Sequence, residues 1–97
     1  MSTRALIAIP APTGDWLHVY SHYDGYPSAM LPALEHWTPE QILAAREIRS
    51  ITPSTLEAFD RPRAPELYGR PTLPEGISHL YAWNAEAGRF EHIKAAD

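Results

Sequence analysis

The 97-residue sequence has no cysteine, only one lysine among its eight basic residues, and no long hydrophobic run. The absence of cysteine excludes a disulfide scaffold, thiolate catalysis and cysteine-bound zinc, and it favours a cytoplasmic location. The apolar run near the amino terminus, residues 5–9, is far shorter than a signal-peptide core or a membrane span. We therefore expect an intracellular protein that makes no contact with a membrane.

Positive charge is also scarce, since the net charge is -4 and the seven arginines are scattered along the chain. Proteins that bind a nucleic-acid backbone present clustered basic residues, so we do not expect a nucleic-acid partner. The hydrophobic content of 44% and the charged content of 21% are those of a folded globular protein. A chain of this length has room for one modest core, which predicts a single domain over residues 1–97.

Turn residues and strand-like alternation predict a β-hairpin at each end of the chain. Residues 4–9 and 16–22 are rich in branched and aromatic side chains, and a Pro-Ala-Pro-Thr-Gly-Asp turn separates them. Residues 77–83 and 89–94 repeat this pattern around a second turn. Because neither hairpin is stable alone, we expect them to form one four-stranded antiparallel sheet.

Two helices are predicted between the hairpins. The first begins at Pro27, where apolar residues recur at helical spacing, and the second covers residues 39–50 behind a Thr-Pro-Glu-Gln capping box. Residues 54–59 form at most one further short helix, and four prolines make residues 61–76 a packed loop. With both helices on one face of the sheet, the predicted order β-β-α-α-β-β gives an α+β two-layer sandwich.

The other face of this sheet is expected to be open. On the second strand, the period of two places Leu17 and Val19 in the core and turns the aromatic and histidine side chains to the opposite face. An exposed aromatic face needs a partner or a covering loop. Its expected members are Trp16, His18, Tyr20, Tyr81 and Trp83.

The most specific stretch of the sequence is Tyr-Ser-His-Tyr-Asp-Gly-Tyr-Pro, residues 20–27. It is predicted to form the corner between the second strand and the first helix. Asp24 can accept hydrogen bonds from the unpaired backbone donors at the start of that helix, and Gly25 supplies a positive φ if the corner requires one.

Two short stretches stand out together: Ser2-Thr3-Arg4, and a hairpin that ends in His22-Tyr23-Asp24-Gly25-Tyr26-Pro27. In this pattern the chain resembles a group of short uncharacterised proteins of tailed phages, prophages and their bacterial hosts. Those proteins commonly carry His-Trp-Asp-Gly-Tyr-Pro here, whereas this chain has Tyr23 in place of the tryptophan. The resemblance covers about the first third of the chain. The resemblance implies a mobile-element origin and an accessory role. It implies no particular enzymatic reaction.

The histidines and carboxylates allow one enzymatic interpretation. His22 and Asp24 lie two residues apart, as paired ligands do in some metal sites, and one distant histidine would make a small metal-dependent hydrolase or phosphoesterase. The histidines that could join them are His18, His79 and His92. A nucleophilic site on Ser21 or Ser28 has the right neighbours but lacks the glycines of a nucleophile elbow.

A binding function is the stronger prediction. Each possible nucleophile, base or metal ligand lacks a necessary partner residue at a sequence spacing typical of a reaction centre. Tryptophan, tyrosine and arginine dominate binding hot spots, and Arg4 can hold an anionic group or, more simply, pair with Asp24. We expect the partner to be a host protein or a second copy of the chain in a homodimer, with no cofactor. The predicted binding residues are Arg4, Trp16, Tyr20, His22, Asp24, Tyr81 and Trp83.

Overall fold

The computed structural model describes residues 3–96. It has two helices, α1 (Pro27–Leu34) and α2 (Pro39–Ala45), and a mixed sheet. The α+β prediction is therefore confirmed. The strands are β1 (Ala5–Pro10), β2 (Trp16–Ser21), β3 (Glu47–Ile51), β4 (Leu56–Ala58), β5 (Glu66–Tyr68), β6 (His79–Asn84) and β7 (Arg89–Ala95).

The prediction of four antiparallel strands is wrong, because the sheet has more strands and two parallel pairings. The strand order is β4-β3-β2-β1-β6-β7, and β5 pairs with the first half of β2. The β1–β2 and β6–β7 hairpins are antiparallel as predicted. However, β1 pairs with β6 in parallel, and β2 pairs with β3 in parallel. The long connection between the two hairpins brings the chain back to the end of the sheet where β1 begins. The inner strands of the two hairpins, β1 and β6, therefore run parallel to each other.

The predicted second helix is too long, because residues 47–50 belong to β3. The helix ends at Ala45, and Arg46 breaks it with a φ of 66°. Strand pairing with β2 gives residues 47 and 48 ladder partners and buries the β-branched Ile48 completely, which outweighs their helix propensity. Residues 54–59 likewise contribute the short strand β4 instead of a helix.

Both helices cover one face of the sheet. The capping box is confirmed, since the Thr38 hydroxyl accepts from the Gln41 backbone N–H at 3.2 Å and the Gln41 side chain accepts from the Thr38 N–H at 2.8 Å. Val19 is fully buried on this face, as predicted, together with residues from both helices and four strands. The core there consists of Ala5, Ile7, Ile9, Val19, Met30, Ala33, Leu34, Ile42, Ile48, Ile51, Tyr81 and Phe90.

A smaller core lies on the opposite face, which is covered by the segment that follows β4. Leu73 and Ile77 from this segment pack against the buried cluster on this face, as do Trp16 and Tyr20 from β2. Leu67, in β5, is 55% exposed. The buried members of this cluster are Leu6, Ala8, Leu80 and Ala82.

Candidate functional site

The predicted aromatic face does not exist as one surface. Ile7 stands opposite Val19 on one side and opposite Tyr81 on the other, so Tyr81 shares the helix-covered face with Val19. Tyr20 stands opposite Leu6 and lies on the other face. Trp16 and His18 accompany Tyr20, whereas Trp83 packs against the helix-side core, so the five expected members divide between two faces. The prediction failed because it required the register between β1 and β6, which no local pattern specifies.

The corner after β2 is organised by Tyr81 rather than by a helix cap. The buried Tyr81 hydroxyl donates to the Gly25 carbonyl oxygen at 2.5 Å. Asp24 accepts from the Tyr26 backbone N–H at 3.4 Å, but the helix itself has no side-chain cap, so the predicted capping role of Asp24 is wrong. Gly25 is required for space, because a Cβ atom there would collide with the Thr3 carbonyl oxygen.

The two proposed metal ligands face different neighbours. The His22 ring lies beside Tyr20, with its Nδ1 atom 2.7 Å from the tyrosine hydroxyl, and contacts Phe59 edge-on. The charge of Asp24 instead acts on His79 and Tyr81: it opposes the lowering of the His79 pKa by burial, and it adds to the rise that burial causes in the pKa of Tyr81. Within residues 3–96, no group of three or more histidine, cysteine, aspartate or glutamate side chains is placed to hold a metal ion. The structure therefore does not assemble the predicted set of ligands.

A pair of histidines joins β6 to β7 near this corner. His79 Nδ1 lies 3.0 Å from His92 Nε2, and the exposed Tyr26 ring packs beside His79. Burial and then the charge of His92 lower the pKa of His79, while Asp24 acts in the opposite direction. The histidine pair therefore links β6 to β7 beside the corner.

A groove with an apolar floor lies between α1 and the final hairpin. Leu31, Leu34, Trp83 and Phe90 form its floor, and Trp83 meets Phe90 edge-on with ring centroids 4.9 Å apart. Its rim carries Glu35, His36 and Arg89. We call this surface the aromatic groove. Its volume of about 860 Å³ is in the range of protein binding clefts.

The aromatic groove borders an edge strand. β7 is hydrogen-bonded to β6 on one side, and among the residues that the structure describes no strand pairs with its other side. Ile93, in the middle of β7, is 50% exposed. The groove thus combines apolar floor residues with a row of backbone donors and acceptors that have no partner strand.

A second groove, of about 680 Å³, lies on the loop-covered face and is lined by charged residues. Glu47, on β3, is buried and binds Arg63 twice: the Arg63 backbone N–H donates at 3.0 Å and its Nε donates at 2.8 Å. The Arg63 guanidinium lies 6.0 Å from the centre of the Tyr20 ring. We call this surface the arginine groove, and its lining includes Arg4, Tyr20, Arg46, Glu47, Arg63, Glu66 and Tyr68.

Of the predicted site residues, Arg4 and Tyr20 do come together in the arginine groove. Burial raises the pKa of Tyr20, and the charges of Arg4 and Arg63 act against that rise. The predicted ion pair between Arg4 and Asp24 does not form, since the pairs within residues 3–96 are Arg63–Glu47 and Arg89–Glu91. Arg46, Glu47 and Arg63 were missed because the sequence places them in a helix and a loop, and only the fold brings them together.

His18 fixes the covering loop to the sheet. Its Nδ1–H donates to the Trp16 carbonyl oxygen at 3.0 Å, and its Nε2 accepts from the Thr72 backbone N–H at 3.0 Å. The Tyr68 ring packs on it with a centroid distance of 4.5 Å. Burial lowers the pKa of His18, which keeps the ring neutral and preserves both hydrogen bonds. His18 is therefore a structural anchor rather than a metal ligand.

No protein-family model, curated protein or solved structure matches this chain. Neither helix within residues 3–96 combines the length and the apolar character that a membrane span requires. The functional interpretation therefore depends on the geometry of the two grooves.

Proposed function

We propose that this protein acts by binding an extended segment of another protein along β7 and the aromatic groove. The single observation that carries this proposal is the position of an unpaired edge strand beside an apolar groove that a helix closes on its far side. An edge strand offers backbone donors and acceptors to an incoming strand.

The floor of the aromatic groove supports the same mode of binding. Alternate side chains of an added strand point to one face, so every second residue of a bound segment would enter the groove and contact Leu31, Trp83 or Phe90. The polar rim residues Glu35, His36 and Arg89 surround this floor. An apolar centre within a polar rim is the usual composition of a protein interface, and tryptophan is enriched at its energetic centre.

The resemblance to phage and prophage proteins makes a protein of the bacterial host the expected partner. The net charge of -4 favours a partner segment with basic residues beside its apolar ones. Pairing of β7 with β7 of a second copy would use the same edge, and measurement of the mass in solution distinguishes that outcome.

A matched pair of leucine substitutions tests the proposal. Leu31→Gln places an amide in the floor of the aromatic groove, whereas Leu67→Gln makes the same change at a leucine that is 55% exposed and lies outside the groove. Each variant and the parent protein capture partners from bacterial lysate, and quantitative mass spectrometry measures the enrichment of each partner. We expect Leu31→Gln to reduce the enrichment of the specific partner about tenfold, while Leu67→Gln retains it.

Thermal melts of both variants provide the control, since a folded Leu31→Gln protein separates loss of the site from loss of the fold. Equal enrichment by Leu31→Gln and by the parent would contradict the proposal. A partner whose enrichment falls only for Leu67→Gln would move the binding surface to β5.

A further inference from the structure

Two histidines converge across the last hairpin. His92, on β7, stands opposite Tyr81, and His79 precedes Tyr81 by two residues on β6, so the two histidines share one face as diagonal neighbours. Diagonal side chains of this length can reach each other across an antiparallel pair. The register of the hairpin shifts between Leu80 and Tyr81, beside the pair. As a result, His79 Nδ1 and His92 Nε2 lie only 3.0 Å apart.

This separation is close to the one that a shared metal ion requires. Zinc binds an imidazole nitrogen at about 2.05 Å, and tetrahedral angles place two such nitrogens about 3.3 Å apart. The two rings would therefore separate by about 0.3 Å to admit the ion. In the hydrogen-bonded pair, one of the two facing nitrogens carries a proton. A change of tautomer moves that proton to the other nitrogen of the same ring, so that both facing nitrogens present lone pairs without loss of a proton from the protein.

The surroundings of His79 favour a bound cation. Burial and then the charge of His92 lower the pKa of His79, which favours the neutral imidazole that a metal ion needs. Asp24 adds a negative charge near this histidine, and its field also reaches Tyr81. Because burial raises the pKa of Tyr81, its hydroxyl stays uncharged. The carboxylate of Asp24 therefore partly offsets the charge of a cation held by the two rings.

The remaining coordination positions are open to other molecules. His92 is one of the residues that line the aromatic groove, and Tyr26, whose ring lies beside His79, is 54% exposed. Within residues 3–96, no third histidine, cysteine, aspartate or glutamate is placed to complete a set of three ligands. Water or a group from a bound molecule would fill the other positions, which is the arrangement of an open metal site and not of a closed structural one.

We propose that His79 Nδ1 and His92 Nε2 bind one divalent transition-metal ion of the zinc class. Imidazole nitrogen suits Zn²⁺, Cu²⁺ and Ni²⁺, whereas Mg²⁺ and Ca²⁺ prefer oxygen ligands. The ion joins β6 to β7 and presents its open positions beside the aromatic groove. The site is formed within one chain, so its existence does not depend on the partner proposed for β7.

Isothermal titration of the protein without an affinity tag tests the site, with Zn²⁺ as the probe and Mg²⁺ as the reference ion. We expect one equivalent of Zn²⁺ to bind saturably at pH 7.5 and Mg²⁺ to show no saturable binding. His92→Gln removes one ligand and should weaken Zn²⁺ binding at least about tenfold. His36→Gln makes the same change at an exposed histidine on the rim of the aromatic groove and should leave the affinity unchanged.

Nuclear magnetic resonance of the parent protein locates the ion without any substitution. The imidazole resonances of His79 and His92 should shift on addition of Zn²⁺, while those of His36 stay in place. The absence of saturable Zn²⁺ binding would overturn the proposal. Undiminished affinity in His92→Gln, an equal loss in His36→Gln, or shifts confined to other histidines would overturn it as well.

Discussion

The helix-covered face of the sheet is closed by apolar side chains, whereas the loop-covered face relies on hydrogen bonds and one ion pair. Twelve buried hydrophobic residues form the core beneath the helices, and only four form the cluster beneath the loop. The loop is held by the Thr72–His18 hydrogen bond and by the two contacts between Arg63 and Glu47. The stability of the helix-covered face therefore depends on close packing of apolar side chains. The attachment of the loop to the other face depends on the protonation states of a few side chains.

This difference explains why the two grooves have different chemistry. The aromatic groove is an extension of the helix-side core, where Trp83 and Phe90 continue the apolar surface toward the edge of the sheet. The arginine groove forms where the loop and strands β2 and β3 meet, and polar anchors already line that junction. The first surface is therefore largely apolar, whereas charged side chains of both signs line the second.

The largest predicted effect is on the helix-covered face. Gly25→Val should destabilise the protein by about 3 kcal/mol, because its side chain collides with the Thr3 carbonyl and the Ala5 side chain. Gly69→Val is the matched control, since a Cβ atom there meets no neighbouring atom within 4 Å, and it should cost well under about 1 kcal/mol. Urea denaturation measures both free energies. Similar values for the two variants would mean that close packing at the corner does not hold this face together.

A smaller effect, with a distinctive pH dependence, is predicted for the loop-covered face. Burial lowers the pKa of His18 below its ordinary value of 6.5, so the unfolded chain binds a proton at a higher pH than the folded chain does. The stability contributed by neutral His18 is therefore complete above about pH 6.5 and is lost as the pH falls through and below that value. His79 has a lowered pKa as well, so the parent protein alone does not isolate His18.

His18→Phe keeps an aromatic ring against Tyr68 and removes the titrating group. Thermal melts between about pH 7.5 and pH 5 should show a smaller loss of melting temperature for this variant than for the parent protein. The protection factor of the Thr72 amide in the parent, which corrects for the pH dependence of intrinsic exchange, should fall over the same interval, because protonation of Nε2 removes the acceptor of that hydrogen bond. Parallel pH profiles for the variant and the parent would show that His18 does not link the loop to the sheet.

Local patterns in the sequence predicted the features that depend on neighbours in the chain. The two terminal hairpins, the capping box at Thr38 and the burial of Val19 all follow from turn residues and from alternation. The strand β3 could not be predicted in the same way. Residues 47–50 continue a helical pattern, and their extended conformation results from pairing with β2, which is distant in sequence.

The candidate sites were predicted only in part for the same reason. Arg4 and Tyr20 meet because the first hairpin brings them close, which the sequence indicates. The other arginines of that groove reach it through the β2–β3 pairing and the loop, and Trp83 reaches the aromatic groove through the parallel pairing of β1 with β6. Spacing along the chain does not specify contacts between segments this far apart.

The most direct test of the central claim compares the two edge strands of the sheet, β7 and β4. Hydrogen exchange of the protein in complex with the partner captured from lysate should show strong protection of the backbone amides in residues 89–95 relative to the free protein. The amides of residues 56–58, at the opposite edge, should exchange at unchanged rates. Protection confined to residues 56–58 or to the covering loop, with β7 unaffected, would contradict the assignment of β7 and the aromatic groove as the binding site.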